Sequence, residues 1–178
     1  MRTPNRIFLV GPMGAGKTTT GQALAKLLKL NFVDSDNEIE ARAGASISWI
    51  FDVEGEARFR DREARVIDEL TQRTGIVLAT GGGAVLRQGN RRVLATRGFV
   101  VYLYLPVEEQ FARTRNDRRR PLLQGDDPLR TLRELMAVRD PLYREVADHV
   151  LAVDAKSKRR EVGSVAEEIA RFVGKDTR

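Results

Sequence analysis

The chain has 178 residues, 42% hydrophobic and 31% charged, a balance typical of one globular domain. It contains no cysteine, which excludes disulfides, thiolate nucleophiles and zinc–thiolate sites. No stretch resembles a signal peptide or a bilayer-spanning helix, so we expect a cytoplasmic protein without membrane contact. The formal charge is +6, and arginine greatly outnumbers lysine. Because no nucleic-acid-binding motif accompanies these basic residues, they favour small anionic ligands and not nucleic acid.

The first predicted strand, residues 7–10, runs directly into a phosphate-binding motif. Gly11-Pro12-Met13-Gly14-Ala15-Gly16-Lys17-Thr18 matches G-x-x-x-x-G-K-[ST] in full. The glycines let backbone N–H groups point at a polyphosphate, Lys17 would reach the β- and γ-phosphates, and Thr18 would place its hydroxyl on Mg²⁺. A glycine-rich turn with a stray lysine is the alternative, but the strand and helix flanks favour binding of a nucleoside triphosphate.

Strand-like apolar runs alternate with helical periodicity along the whole chain. Predicted strands cover residues 7–10, 32–33, 76–80, 99–105 and 149–153. Predicted helices include residues 18–30 with Leu24, Leu27 and Leu28 at helical spacing, a segment with Phe59, Val66, Ile67 and Leu70, about 107–116, and a last helix with Val162, Val165, Ile169 and Phe172 on one face. This alternation predicts right-handed βαβ units and a three-layer α/β domain with a parallel sheet. Since ligands bind beyond the carboxyl ends of such strands, residues that follow each strand are the candidates for function.

Asp34-Ser35-Asp36 follows the second strand. In an extended segment both carboxylates would point the same way. One could hold Mg²⁺, directly or through water, and the other could accept or orient the proton of an attacking hydroxyl. The alternative is a helix cap, a position that Asp and Ser favour.

Gly81-Gly82-Gly83 follows the third strand. Consecutive glycines are costly to order, so they indicate a place where backbone comes close to a ligand and presents N–H groups to it. A simple tight turn is the alternative.

After the fourth strand, Pro106 begins a helix that leads into an arginine-rich segment, residues 113–120, followed by proline, glycine and acidic residues. Charge runs are usually solvated faces. At the ligand edge of a phosphate-binding protein, however, this run predicts a lid that closes over ATP and excludes water. Arg120 is the candidate to contact the transferring phosphoryl group.

Two further arginines are candidates for carboxylate recognition. Arg60 lies at the start of a helix in which Phe59 is expected to be buried, and Arg139 begins Arg139-Asp140-Pro141-Leu142-Tyr143. From spacing alone, both are better interpreted as surface ion-pair residues. Arginine is nevertheless suited to bidentate binding of a carboxylate.

Taken together, these motifs resemble the shikimate kinase family from about residue 5 to 172. The matching segments, in order, are the phosphate loop, Asp34-Ser35-Asp36, Phe59-Arg60, Gly81-Gly82-Gly83, Arg120-Pro121-Leu122-Leu123 and Arg139-Asp140-Pro141-Leu142-Tyr143. The resemblance implies a P-loop fold like the nucleoside monophosphate kinases, with a five-stranded parallel sheet of order 2-3-1-4-5. It also implies ATP-dependent phosphorylation of the 3-hydroxyl of shikimate, in the pathway to chorismate and the aromatic amino acids.

The resemblance further implies roles for individual residues. On the acceptor side, Asp36 would contact hydroxyls and act as base or positioner, Arg60 and Arg139 would clamp the carboxylate, and Gly82, with Gly81 and Gly83 as second choices, would offer backbone contact. On the nucleotide side, the ATP contacts would be Gly14, Ala15, Gly16, Lys17, Thr18, Thr19, the lid arginine Arg120 and Lys156. Thr18 and, through water, Asp34 would hold Mg²⁺.

The resemblance implies one kinase domain over residues 1–178, acting as a monomer. Its acceptor-binding region would cover about 34–62, its lid about 113–127 and a frayed tail 174–178. The sequence also leaves rival interpretations of function open. Asp52-Val53-Glu54-Gly55 matches the D-x-x-G motif of regulatory GTPases, although no N-K-x-D motif is present. A nucleotide-dependent nucleic-acid or partner-binding module could use the basic lid, and a related kinase could use gluconate or a nucleoside monophosphate as acceptor.

Overall fold

A computed structural model describes residues 4–116, 123, 125–153 and 162–175, and in these ranges strands alternate with helices as predicted. The strands are β1 (Arg6–Val10), β2 (Asn31–Asp34), β3 (Ile76–Ala79), β4 (Phe99–Tyr104) and β5 (His149–Ala152). The helices are α1 (Lys17–Leu28), α2 (Ser35–Ala43), α3 (Ile47–Glu54), α4 (Glu56–Leu70), α5 (Gln88–Arg97), α6 (Val107–Thr114), α7 (Pro128–Val146) and α8 (Val162–Lys175). A short 3-10 helix, Ala84–Leu86, precedes α5.

The five strands form one parallel sheet of order β2-β3-β1-β4-β5, which confirms the predicted topology. β1 is central, with Leu9 opposite Ala79 of β3 and Val10 opposite Tyr102 of β4. Since all these strands point the same way, the segments after β1, β2 and β3 emerge at one edge, where the predicted site lies.

Each face of the sheet is covered by its own hydrophobic core, because side chains alternate between faces along a strand. Phe8 and Val10 pack with Ile67 and Tyr143 on one face, which α4, α5 and α7 cover. Ile7 and Leu9 pack with residues of α1 and α8 on the other face. The three-layer α/β/α arrangement is therefore confirmed.

Two helical faces differ in detail from the sequence patterns. In α1, Leu24 is buried but Leu27 is half exposed. In α8, Val165 and Ile169 are buried as predicted, whereas Val162 and Phe172 lie partly exposed at the margin of the apolar face. The buried stripe is completed instead by Ala166 and Val173. The Phe172 ring stacks on His149, with ring centroids 3.8 Å apart, at the edge of the sheet.

Throughout the described ranges, every helix is too short or too polar to traverse a bilayer. Residues 117–122 and 124 of the predicted lid, including Arg120, lie outside the described residues, as do Lys156 and residues 176–178 of the predicted tail. α8 extends to Lys175.

Candidate active site

The phosphate loop leaves β1 through Gly11 and ends at Gly16, which caps the N-terminus of α1. Gly11 has φ 144°, and a Cβ there would lie 2.5 Å from the carbonyl oxygen of Leu103, so only glycine fits. Gly14 and Gly16 both have φ 80°. Gly16 makes no side-chain cap, and the N-terminus of a helix such as α1 favours an anion. The loop thus has the geometry predicted for phosphate binding.

The ammonium of Lys17 lies against the backbone of this loop. Its Nζ donates to the carbonyl oxygens of Gly11 at 2.7 Å and Pro12 at 2.8 Å. Its charge also lowers the pKa of Asp36, so the phosphate-loop lysine and the candidate base act on each other electrostatically.

Asp34 is the helix cap considered for it in the sequence, and its second carboxylate oxygen contacts Thr18. Its Oδ1 accepts hydrogen bonds from the backbone N–H groups of Asp36 at 2.9 Å and Asn37 at 3.2 Å, which caps α2. Its Oδ2 accepts a hydrogen bond from the Thr18 hydroxyl at 2.8 Å. The first turn of α1 and the end of β2 therefore bring together two hard oxygen ligands, which suit Mg²⁺ and the water it usually retains.

The expectation that Asp34 and Asp36 share one extended segment was wrong, because the chain turns helical at Ser35. Asp36 instead projects from the first turn of α2. Its Oδ1 is buried and has no hydrogen-bond partner within the described ranges. Burial is the largest effect that raises the pKa of Asp36 to about 7, followed by repulsion from Asp34 and Glu63. A buried carboxyl that titrates near neutral pH is suited to proton transfer.

The three glycines after β3 mark the place where the charged side chains converge. A Cβ on Gly81 would lie 2.6 Å from Asp36 Oδ1 and 3.1 Å from Glu63 Oε1. A Cβ on Gly83 would overlap the guanidinium nitrogens of Arg60. Gly82 approaches Arg139 Nη1, which would lie 3.4 Å from its Cβ. The backbone of this loop therefore lies close to a carboxylate and two arginines, and its contact with a ligand stays a prediction.

The glycine loop is also tied to both of its neighbours at the sheet edge. The N–H of Gly81 donates to the buried Oγ of Ser35 at 3.1 Å, so this N–H is engaged within the protein. The carbonyl oxygen of Gly11 lies 3.7 Å from the Cβ position of Gly82, where the phosphate loop begins. The phosphate loop and the glycine loop are therefore adjacent at this edge of the sheet.

Arg60 and Arg139 are buried, and the interpretation as surface ion-pair residues was wrong for both. Arg60 is 7% exposed and pairs with Glu63 at 2.8 Å and with the more exposed Glu56 at 3.1 Å. Arg139 is 5% exposed, and its Nε has no hydrogen-bond partner among the described residues. Phe59 is buried as predicted and lies under the Arg60 guanidinium, 5.1 Å from the ring centroid. Burying two cations beside one another is costly unless an anion compensates.

Three residues of this region were not singled out from the sequence: Ser35, Glu63 and Tyr143. Glu63 is 1% exposed, and burial raises the pKa of its carboxyl despite attraction from Arg60. A signal for Glu63 existed, since it lies three residues after Arg60 and on the same helix face as the apolar Val66 and Ile67. The sequence carries no comparable signal for Ser35.

The GTPase interpretation is contradicted by the position of its motif. Asp52-Val53-Glu54 form the end of α3, and Gly55 joins α3 to α4. The motif therefore lies at the end of a helix and not at the end of a strand, where this chemistry requires it.

The close contact at Gly83 leads to a prediction about the acceptor side. Gly83 has φ −92° and ψ 3°, which alanine can adopt, so Gly83→Ala acts through its methyl group alone. We expect it to displace the Arg60 guanidinium and raise the KM for the acceptor by about tenfold or more while leaving the KM for ATP within about twofold. Gly89→Ala, in α5 with no atom within 4 Å of the added Cβ, is the matched control. Equal acceptor KM values for the two variants would contradict the packing described here.

The loop can take the phosphates of a donor nucleotide, and the adjacent cluster over the glycines can take a small, hydroxylated carboxylate. This division of the sheet edge defines the class of P-loop small-molecule kinases. Comparison with known proteins gives the family. A family model described as shikimate kinase matches residues 13–173. The chain belongs to the shikimate kinase family.

Individual relatives agree along nearly the whole chain. The shikimate kinase of Halorhodospira halophila is 67% identical over 84% of this chain and 85% of its own, and that of Mannheimia succiniciproducens is 56% identical over 97% and 99%. A solved structure of shikimate kinase from Acinetobacter baumannii in complex with shikimate is 50% identical and covers 98% of this chain and 95% of its own, with a TM-score of 0.93. The predicted activity, ATP-dependent phosphorylation of shikimate, is thereby confirmed.

Proposed function

We propose that shikimate binds over Gly81, Gly82 and Gly83, with its carboxylate between Arg60 and Arg139 and its 3-hydroxyl at Asp36. The observation that supports this is the convergence of these three side chains, from α2, α4 and α7, on the glycine loop. A shikimate carboxylate would supply an anion to Arg139, which has no ion pair among the described residues, and would add to the carboxylates already paired with Arg60. The ring hydroxyls would then face the only one of these groups that can accept a proton, the Asp36 carboxylate.

On the nucleotide side, we propose that the backbone of Gly14, Ala15 and Gly16 and the first turn of α1, including Thr19, bind the phosphates of ATP. Lys17 would leave its carbonyl partners for the β- and γ-phosphates. Thr18 and Asp34 fit Mg²⁺ as oxygen ligands, and the bound ion would neutralise phosphate charge. Arg120 as the lid arginine and Lys156 beside adenine are supported by the family resemblance alone.

The charges of these side chains indicate what each would contribute to the reaction. Phosphoryl transfer needs little covalent help from the protein, so positioning and electrostatic stabilisation dominate. Arg60 and Arg139 would hold the acceptor in line with the γ-phosphoryl group, while Lys17 stabilises charge on the phosphate oxygens. Asp36, whose pKa is about 7, would be largely ionised above neutral pH and able to accept or orient the proton of the 3-hydroxyl. Action as a monomer and a cytoplasmic location stay predictions, of which light scattering tests the first.

An acceptor panel tests the proposed arrangement on the substrate side. We expect ADP release with Mg-ATP to be fast with shikimate and close to background with gluconate or AMP. The methyl ester of shikimate keeps every ring hydroxyl but loses the carboxylate charge, so we expect its KM to rise by at least about thirtyfold. A methyl ester that is used as well as shikimate would exclude the arginine clamp while leaving the kinase activity itself intact.

A further inference from the structure

Arg139 and Tyr143 lie four residues apart in α7 and therefore share one face of the helix. Both are buried, and Tyr143 is fully so. The Tyr143 hydroxyl donates a hydrogen bond to the carbonyl oxygen of Gly82. The Arg139 Nη1 and the Tyr143 hydroxyl oxygen lie 3.4 Å and 3.6 Å from the Cβ position of that same glycine, and the guanidinium charge lowers the pKa of Tyr143. The hydroxyl of Tyr143 and the guanidinium of Arg139 thus meet at the same residue of the glycine loop.

The chemistry of the phenol suits this double contact. A neutral hydroxyl can donate one hydrogen bond and accept another at the same time. Burial raises the pKa of Tyr143 to about 12 although Arg139 acts in the opposite direction, so the hydroxyl keeps its proton at all physiological pH values. Donation to the Gly82 carbonyl leaves the lone pairs of the hydroxyl oxygen available as acceptors for the neighbouring guanidinium.

Within the described ranges, few other groups contact the guanidinium of Arg139. Its Nε has no hydrogen-bond partner there, and no ion pair joins Arg139 to a described carboxylate. The neighbouring Asp140 turns away, accepting hydrogen bonds from Tyr102 at 2.7 Å and Arg144 at 2.8 Å. The Gly82 backbone and the hydroxyl of Tyr143 are therefore the described groups that lie beside the guanidinium.

We propose that Tyr143 is a positioning residue for acceptor recognition, which aligns the Arg139 guanidinium with the Gly82 backbone so that both meet the shikimate carboxylate in one geometry. This inference rests on the proposed role of Arg139. Tyr143 touches neither the nucleotide nor the reacting hydroxyl, and it acts only through Arg139 and Gly82.

The first test is Tyr143→Phe, which removes one oxygen atom. We expect the KM for shikimate to rise by about tenfold, with the KM for ATP and kcat each within about twofold. Tyr102→Phe is the matched control, because it removes a buried hydroxyl that also anchors α7, through Asp140, but contacts neither Arg139 nor Gly82. KM does not depend on the fraction of enzyme that is folded, so lower stability alone leaves it unchanged. Equal shikimate KM values for both variants would overturn the proposal.

The second test is a double-mutant cycle with Arg139→Ala. If Tyr143 acts through Arg139, adding Tyr143→Phe to Arg139→Ala should change the shikimate KM by less than about twofold. A further tenfold rise in the double variant would show an independent role and overturn the proposal. If Arg139→Ala by itself leaves the shikimate KM unchanged, the carboxylate clamp of the proposed function is wrong, and Tyr143 cannot position it.

Discussion

Asp36→Asn is expected to lower kcat for shikimate phosphorylation by at least about tenfold, with about a hundredfold typical of a positioned general base. Asparagine has nearly the same shape but cannot take up the proton of the 3-hydroxyl. The KM for ATP should stay within about twofold, because the phosphate loop and Lys17 are unchanged. Steady-state kinetics with ADP release as the readout measure both constants. Asp52→Asn, at an exposed position of α3, controls for the loss of one negative charge. Near-normal turnover of Asp36→Asn would contradict the assignment of Asp36.

The pH profile gives a second measure of the same carboxyl. Because the pKa of Asp36 is raised to about 7, the protonated, inactive form predominates below that pH. We expect kcat/KM for shikimate to fall as the pH decreases from about 8 to about 5.5, and the residual activity of Asp36→Asn to lose this dependence. The raised pKa also means that the ionised side chain disfavours folding. Its contribution to the free energy of unfolding should decline as the pH rises from about 4 to about 7.

Arg60→Ala is expected to raise the KM for shikimate by about a hundredfold, with a smaller effect on kcat. Charge-assisted hydrogen bonds from a guanidinium to a carboxylate contribute about 1.5–3 kcal/mol each, which corresponds to roughly 10- to 150-fold in affinity. Arg62→Ala is the matched control, since Arg62 lies on the same helix but pairs with Glu54 at the surface. An unchanged shikimate KM in Arg60→Ala would contradict the clamp.

The buried Glu63 complicates the stability of this variant and also offers a way to separate stability from binding. Without Arg60, Glu63 keeps its burial but loses its partner at 2.8 Å, and its pKa should rise further. An unpaired buried charge costs about 3–5 kcal/mol unless the group takes up a proton. We therefore expect Arg60→Ala/Glu63→Gln to unfold at a higher temperature than Arg60→Ala while its shikimate KM stays high.

Short-range patterns account for the parts of the site that the sequence predicted well. The phosphate loop is contiguous in the sequence, so the fixed spacing of its glycines, its lysine and its hydroxyl is enough to identify it. The apolar period of the strands placed Asp34 and Gly81 at the carboxyl ends of β2 and β3, which the parallel order brings to one edge. Asp36 was identified too, although its orientation was not, because the start of α2 at Ser35 depends on the Asp34 cap.

Only the tertiary structure decides which charged side chains are buried and which of them contact one another. Arg60 and Arg139 have no sequence feature that separates them from the many surface arginines of this chain. They differ because α4 and α7 pack both of them against the glycine loop. Burial, the raised pKa values of Asp36 and Glu63 and the contact of Tyr143 with Gly82 all arise from segments that are distant in the chain. Local sequence therefore determined the phosphate loop and the parallel α/β class of the domain, whereas the strand order was implied by the family resemblance. Long-range packing determined the acceptor half, since desolvation depends on all the neighbours of a group and not on its own position in the sequence.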